Sequence, residues 1–180
     1  MPVLSPREIR SRVAVSKDEF RKVLGQFATG VTVITVAGSE GQVHGMTANA
    51  FTSVSLDPLL VLVCVDGRAR THPLIHQRKR FGVNVLAEGQ QHLADYYART
   101  SEDHETADRL GAVYWFTERG TPLLKNCLAH LECSVVSAHD EGDHTVFIGA
   151  VEHVGLQKGQ PLLFHGGRYR RLEPDEPEKE

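Results

Sequence analysis

Residues 45–58, GMTANAFTSVSLDP, set Thr47, Asn49, Thr52, Ser53 and Ser55 among the small residues Gly45, Ala48 and Ala50. Seven apolar residues, LLVLVCV at 59–65, follow at once. A partly unpaired backbone lined this way can give N–H groups to the edge of a heteroaromatic ring. Its hydroxyls can bind a polyhydroxyl chain. The competing reading is an ordinary edge strand whose hydroxyls satisfy one another, and composition alone favours it.

Other stretches carry their own chemistry. DGRART (66–71) places Arg68 and Arg70 at the start of an expected helix, where backbone N–H groups and a guanidinium suit an anion. A solvated loop fits that stretch equally well. His144, in the turn sequence GDH (142–144), can point across a pocket, although an isolated turn histidine usually faces solvent. His72 and His76 stand at i, i+4, on one helix face, but no carboxylate or third histidine follows at a companion spacing. They read as surface residues. His92, His104, His139, His153 and His165 also lack companions, so no metal is expected. No GxSxG and no Ser, His and Asp trio occurs at a recognisable spacing. Cys127 has no evident base. Gly166-Gly167 in PLLFHGGRYRRL (161–172) would break a strand and let a flat ligand approach, with Arg168 or Tyr169 over it.

The whole chain narrows the choice. Its 180 residues, 41% of them hydrophobic, suit one domain with arms. A net charge of -3 gives no footprint for nucleic acid. Cys64, Cys127 and Cys133 are odd in number and lack a CxxC, and Cys64 and Cys133 read as core residues in a reducing, cytoplasmic setting. MPVLSPREIRSRVAV contains no continuous apolar segment of the signal-peptide kind, and no run is long enough to span a membrane. Residues 1–15 read as an N-terminal arm, 16–172 as the domain, and 173–180 as a disordered acidic tail.

The elements that position these residues are mostly strands. Ser16 with Glu19 forms a capping box, and Phe20, Val23, Leu24 and Phe27 make one apolar helical stripe. Thr29-Gly30 is expected to end that helix, with Gly30 in the left-handed position. Strands are expected over 31–36, through HGMTANAFTSVS after a turn at 39–42, and over 59–65, buried on both faces. Further strands fall at 81–86, 129–138 with a wet face including Glu132, and 144–154. Short helices fit 71–79, 89–99 and 105–110. Many short strands and few helices argue for a mainly β fold, an antiparallel sheet closed as a barrel. No GxGxxG or P-loop is present.

In order along the chain, FATGVTVIT, GMTANAFTSVSLDPLLVLVCV, FGVNVL, GDHTVFIGAVEHV and PLLFHGGRYRRL resemble the flavin reductase family over about residues 16–172. Each motif is weak alone; the shared order is specific. The resemblance implies a six-stranded antiparallel split β-barrel with a few short helices. It also implies a homodimer with flavin near the subunit interface. NAD(P)H would reduce free FMN or FAD by hydride transfer to N5, with no catalytic side chain. Reduced flavin would pass by diffusion to a partner monooxygenase, with no nucleic acid or membrane involved.

Carried over by position, the resemblance puts Thr29 and Gly30 beside the flavin. Met46, Thr47, Ala48 and Asn49 would line its ring, and Ser53, Val54 and Ser55 would meet the ring edge or ribityl chain. Cys64 and Val65 would lie near the flavin tail, Arg70 and Thr71 at the phosphate. Phe81 and Asn84 would back the pocket, and Tyr169 would close it. His144 would contact the nicotinamide nucleotide. The arginines of DGRART depart from the family's small residues there and leave FMN against FAD open. Rival readings are a pyridoxine phosphate oxidase-like enzyme, a non-enzymatic flavin-storage protein, and a barrel that serves only as an interaction module.

Overall fold

A computed structural model describes residues 14–99 and 113–173. Most of the N-terminal arm, the helix expected over 105–110, His104, and nearly all of the acidic tail lie outside the described residues. Helix α1 (Lys17–Leu24) opens as expected, with Ser16 and Glu19 closing a capping box. It ends earlier than the sequence suggests. Gly25 caps it in a right-handed conformation, and Thr29–Gly30 form a short strand, β1. Gly30 therefore is not a left-handed cap.

Strands β2 (Thr32–Ala37), β3 (Val43–Ala48), β4 (Phe51–Leu56) and β5 (Leu59–Asp66) follow. Next come α2 (Thr71–Arg78), β6 (Arg80–Val85) and, after a tight turn, α3 (Gln91–Tyr97). The remainder is strand: β7 (Tyr114–Phe116), β8 (Pro122–Leu124), β9 (Ala129–Glu141), β10 (His144–Leu156), β11 (Leu163–His165) and β12 (Arg168–Arg170). The small-residue stretch is thus not one strand. Asn49 and Ala50 break it into β3 and β4.

The main sheet is antiparallel and has seven strands in the order β3-β2-β6-β9-β10-β5-β4. This corrects the expected count of six. It also corrects the closure, since β3 and β4 form the two edges and do not pair with each other. Those edges are consecutive in the chain, joined only by Asn49 and Ala50. A flat sheet of this size would hold its outer strands about 29 Å apart, at roughly 4.8 Å per gap. The connection reaches at most about 11 Å. The sheet must therefore roll until its edges meet at that corner.

The roll creates an inside and an outside. Ile34, Val63, Phe81, Val83 and Phe147 fill the interior, with Ile75 of α2 inserted among them. A second cluster, including Val33, Leu93, Tyr97 and Leu162, lies where α3 and the β1-β11-β12 sheet cover the outer face. β5 is buried on alternate residues, not on both faces: Val61, Val63 and Val65 point inward, while Leu60, Leu62 and Cys64 are only half-buried. At Gly149 a Cβ would stand 2.6 Å from Phe81 Cζ, so only glycine allows that interior contact. Gly166 and Gly167, with φ of 61° and 76°, make the two-residue hairpin turn between β11 and β12.

The face of β9 expected to be wet is covered at Glu132, which is 3% exposed. The β7–β8 hairpin lies over it. Thr117 and Thr121 hydroxyls donate to Glu132 Oε1 at 2.7 and 2.8 Å, and Arg80 reaches the same oxygen at 2.8 Å. Arg80 also pairs with Glu152, as does Arg119. Desolvation, the largest single influence, pushes the Glu132 carboxyl up. The bonds from Thr117, Arg80 and Thr121 together outweigh it and hold the carboxyl below its ordinary value. The lowered folded value means this stabilisation is complete above the ordinary carboxylate range and fades as pH falls through the folded value. Glu132→Gln should cost about 1–3 kcal/mol near neutral pH. Urea midpoints measured from pH 7 down to pH 3 should show that difference shrinking.

Candidate functional site

The corner between the sheet edges gathers much of the motif that opened the sequence analysis. Antiparallel pairing sets Thr32 opposite Ala48, and the Thr32 hydroxyl donates to Ala48 O at 2.6 Å. Gly30 precedes that pair by two residues, so β1 arrives at the same corner. From the other edge, Cys64 N–H donates to Ala50 O at 3.1 Å. Gly30 is exposed and has open space where a Cβ would be. Asn49 and Ala50 are exposed as well.

β4 carries a break that the sequence did not announce. Its register against β5 shifts between Ser53 and Ser55, leaving Val54 bulged out of the ladder and 47% exposed. Bulges of this kind redirect side chains and cluster beside binding sites. Because β4 is an edge, its outward N–H and C=O groups have no ladder partner among the described residues. The Ser55 hydroxyl accepts from Asp57 N–H at 3.2 Å.

Across the sheet, the register carries the site from the corner to the β9–β10 turn. Cys64 stands opposite Val146, Val65 opposite Thr145, and Asp66 opposite His144. His144 therefore lies about 7 Å along the strands from the level of Cys64. Asp143 Oδ1 accepts from His144 Nδ1 at 2.8 Å. A carboxylate partner fixes the proton on Nδ1 and leaves Nε2 as the ring's acceptor. The same bond holds the Asp143 carboxyl below its ordinary value. Gly67 N–H donates to Asp143 O at 3.0 Å, tying the DGRART loop to this turn. The two loops frame an open depression of 440 Å³ whose walls include Asp66, Arg68, His72 and His144.

Arg68 is folded back on Asp66. Its Nε and Nη2 reach the carboxylate at 3.1 and 2.8 Å, and its backbone N–H adds a bond at 2.8 Å. Those bonds hold the Asp66 carboxyl far below its ordinary range. Arg70, not Thr71, occupies the N-cap position of α2 and makes no side-chain cap bond. Thr71 is the first helical residue and is 1% exposed.

The remaining expected residues divide by burial. Met46 faces the interior cluster with Ala48, whereas the Thr47 hydroxyl donates outward to Ala94 O of α3 at 2.7 Å. Val65, Phe81 and Asn84 have 0% accessible surface. Asn84 spends its amide on Val33 O at 2.9 Å, Thr35 Oγ1 at 3.0 Å and Leu124 N at 2.7 Å. These three residues can support the site from behind. On the β1-β11-β12 sheet, Thr29 and Tyr169 both pair with Phe164, one from each side. Burial, and then the nearby Asp95 carboxylate, push the Tyr169 phenol up. Asp95 belongs to α3, which links Tyr169 to the helix that holds Thr47. Burial pushes Cys127 and Cys133 up to about 12, which removes both as nucleophiles near neutral pH.

The residues fit a phosphate-bearing heteroaromatic ligand on one further observation. The hydroxyls of Thr29 and Thr71, like that of Tyr114 elsewhere in the fold, are buried without a hydrogen-bond partner among the described residues. An unsatisfied buried hydroxyl costs about 1–3 kcal/mol. Both belong to residues that the family resemblance sets against the flavin.

Sequence spacing missed two groupings. His72 and His76 are half-buried, not surface residues, and the fold brings Asp140 of β9 to them. His153, read as solitary, stacks on His130 with centroids 5.7 Å apart. Both groupings join strands or helices distant in sequence, so no local pattern announces them.

Comparison with known proteins gives consistent matches. The model of the flavin reductase like domain family matches residues 24–173. An NADH-dependent flavin reductase from a Rhodococcus species is 46% identical over 155 residues, 85% of each chain. The reductase subunit of a flavin-dependent monooxygenase from Rhodococcus jostii is 41% identical over 165 residues, covering 90% of this chain and 81% of that one. The solved NADH:FAD oxidoreductase of Streptomyces globisporus, in complex with NAD and FAD fragments, superposes with a TM-score of 0.81 at 38% identity. It covers 97% of this chain and 99% of that one.

Proposed function

The chain belongs to the flavin reductase-like family, and from that premise we propose that it is an NAD(P)H:flavin oxidoreductase that reduces free FMN or FAD for a partner monooxygenase. The observation that carries this reading is the corner itself. Two sheet edges meet there over exposed Asn49 and Ala50, a bulged edge strand offers unpaired backbone, and His144 stands at the same end. Relatives named for NADH make NADH the first donor to assay.

Flavin held there would supply the redox chemistry, as acceptor of a hydride from reduced nicotinamide. The chain's own work is placement. Backbone groups along 47–55 bind the ring edge, and the hydroxyls of Ser53 and Ser55 address the ribityl chain. Arg70, Thr71 and the first turn of α2 bind phosphate. Thr29, Gly30, Cys64 and Tyr169 bound the pocket, with Met46, Ala48, Val65, Phe81 and Asn84 behind it. His144, held by Asp143, presents Nε2 to the nicotinamide nucleotide. No acid or base is needed for a direct hydride shift, and orientation of the two rings does the accelerating. A shallow site of small side chains suits flavin that leaves once reduced.

The same reading makes the protein a homodimer. Among the described residues the stripe Phe20, Val23, Leu24 and Phe27 enters no core: these residues are 52–74% exposed, and α1 buries none of its own. Leu56 and Leu156 are 85% and 84% exposed. So much apolar surface marks an interface, and a second copy is the partner that would complete the open groove. No described helix is long and apolar enough to cross a membrane. The free thiols suit a reducing cytoplasm.

Steady-state NADH oxidation with FMN, FAD and riboflavin tests the activity. Flavin-dependent turnover is expected, and flavin binding without NADH oxidation would instead identify a storage protein. His144→Ala should raise the apparent KM for NADH by about tenfold or more, the loss of one good polar contact, and leave that for flavin little changed. Equal effects on both would remove His144 from its role. Sedimentation should give a dimer that Phe20→Glu with Leu24→Glu converts to monomer; a monomeric wild type would contradict the assembly.

A further inference from the structure

We propose that His72, His76 and Asp140 form a binding site for one borderline divalent cation of the Zn2+ type. The histidines occupy i and i+4 on α2, and Asp140 reaches them from β9, near the β9–β10 turn. One ligand atom from each of the three lies within 4.8 Å of the others. A tetrahedral zinc ion, with bonds of about 2.0–2.2 Å, sets its ligands roughly 3.3 Å apart. Metal binding would draw the ligand atoms in from up to 4.8 Å to that spacing.

The surroundings hold the ligands in place. Phe147, fully buried, packs edge-on against both imidazoles, with ring centroids 4.9 Å from His76 and 5.8 Å from His72. The two imidazoles are themselves 4.8 Å apart. Thr145 bridges the other side: its hydroxyl donates to Asp140 Oδ1 at 2.7 Å and meets His72 Nε2 at 2.8 Å. Because that hydroxyl has a single hydrogen, His72 must donate from Nε2. The bridge leaves the lone pair of His72 on Nδ1, the atom through which it would ligate, with Thr145 as the outer partner of both ligands. Asp140 is exposed and, with His72, lines the 440 Å³ depression, which gives an entry path and room for water at the open coordination positions.

Two imidazoles with one carboxylate select zinc-like ions over Mg2+ or Ca2+, which prefer all-oxygen sets. A cation here would fasten α2 to the end of the β9–β10 hairpin. The site stands on these residues alone and does not depend on the flavin reading.

The test uses full-length protein stripped with a chelator. Zn2+ is titrated against a chromophoric competitor, and Co2+ against its visible d–d absorption. One equivalent per chain is expected, with Mg2+ unable to displace it. His76→Gln and Asp140→Asn should each weaken binding at least about tenfold, while His153→Gln, at the other histidine pair, leaves it unchanged. Asp140 is exposed, so its variant keeps the test clear of folding defects, and circular dichroism checks the other two. No tight equivalent, or one insensitive to both His76→Gln and Asp140→Asn, or one lost in His153→Gln, overturns the site.

Discussion

A connection of two residues between opposite edges of one sheet governs this structure. Asn49 and Ala50 must bring β3 to β4, so the sheet has to roll. Rolling gives Phe81 and Phe147 an interior to fill and forces Gly149 to lack a side chain. It also leaves a seam where the edges meet without pairing. Backbone groups at such a seam must bond with something other than the sheet. In the proposed reading, that requirement is what a bound flavin would meet.

The seam is coupled to the rest of the molecule by register. Ala50 binds the β5 backbone beside Cys64, and β5 in turn sets His144 opposite Asp66. Two loops then lock together through Gly67 and Asp143. On the outer side, α3 receives the Thr47 hydroxyl, and its Asp95 acts on Tyr169. Residues far apart in sequence are thereby fixed on one end of the sheet, as two stacked planar carriers would require.

Much of this was legible in the sequence, for physical reasons. β-branched runs, the capping box at Ser16 and the glycine pair at 166–167 have local causes and were found. The mainly β class followed from many short strands. Other features depend on what lies across the fold. The burial of Glu132 comes from threonines on a hairpin that no periodic pattern marked. β5 reads as a continuous apolar run, yet half of its side chains are only partly covered. The strand count failed because Asn49-Ala50 looks like strand interior and acts as a corner. The apolar stripe of α1 was correctly seen as a stripe, but periodicity does not report what covers it, and its residues are exposed. Candidate site residues were assigned only through a shared order of motifs, and the approach of Asp140 to His72 was not legible at all.

The most direct measurement is a crystal structure grown with both FMN and NAD+. The account requires the flavin ring against the backbone of residues 47–55, its phosphate at the start of α2, and the nicotinamide between that ring and His144. A flavin bound elsewhere, with Thr47 through Ser55 touching only protein, would contradict it.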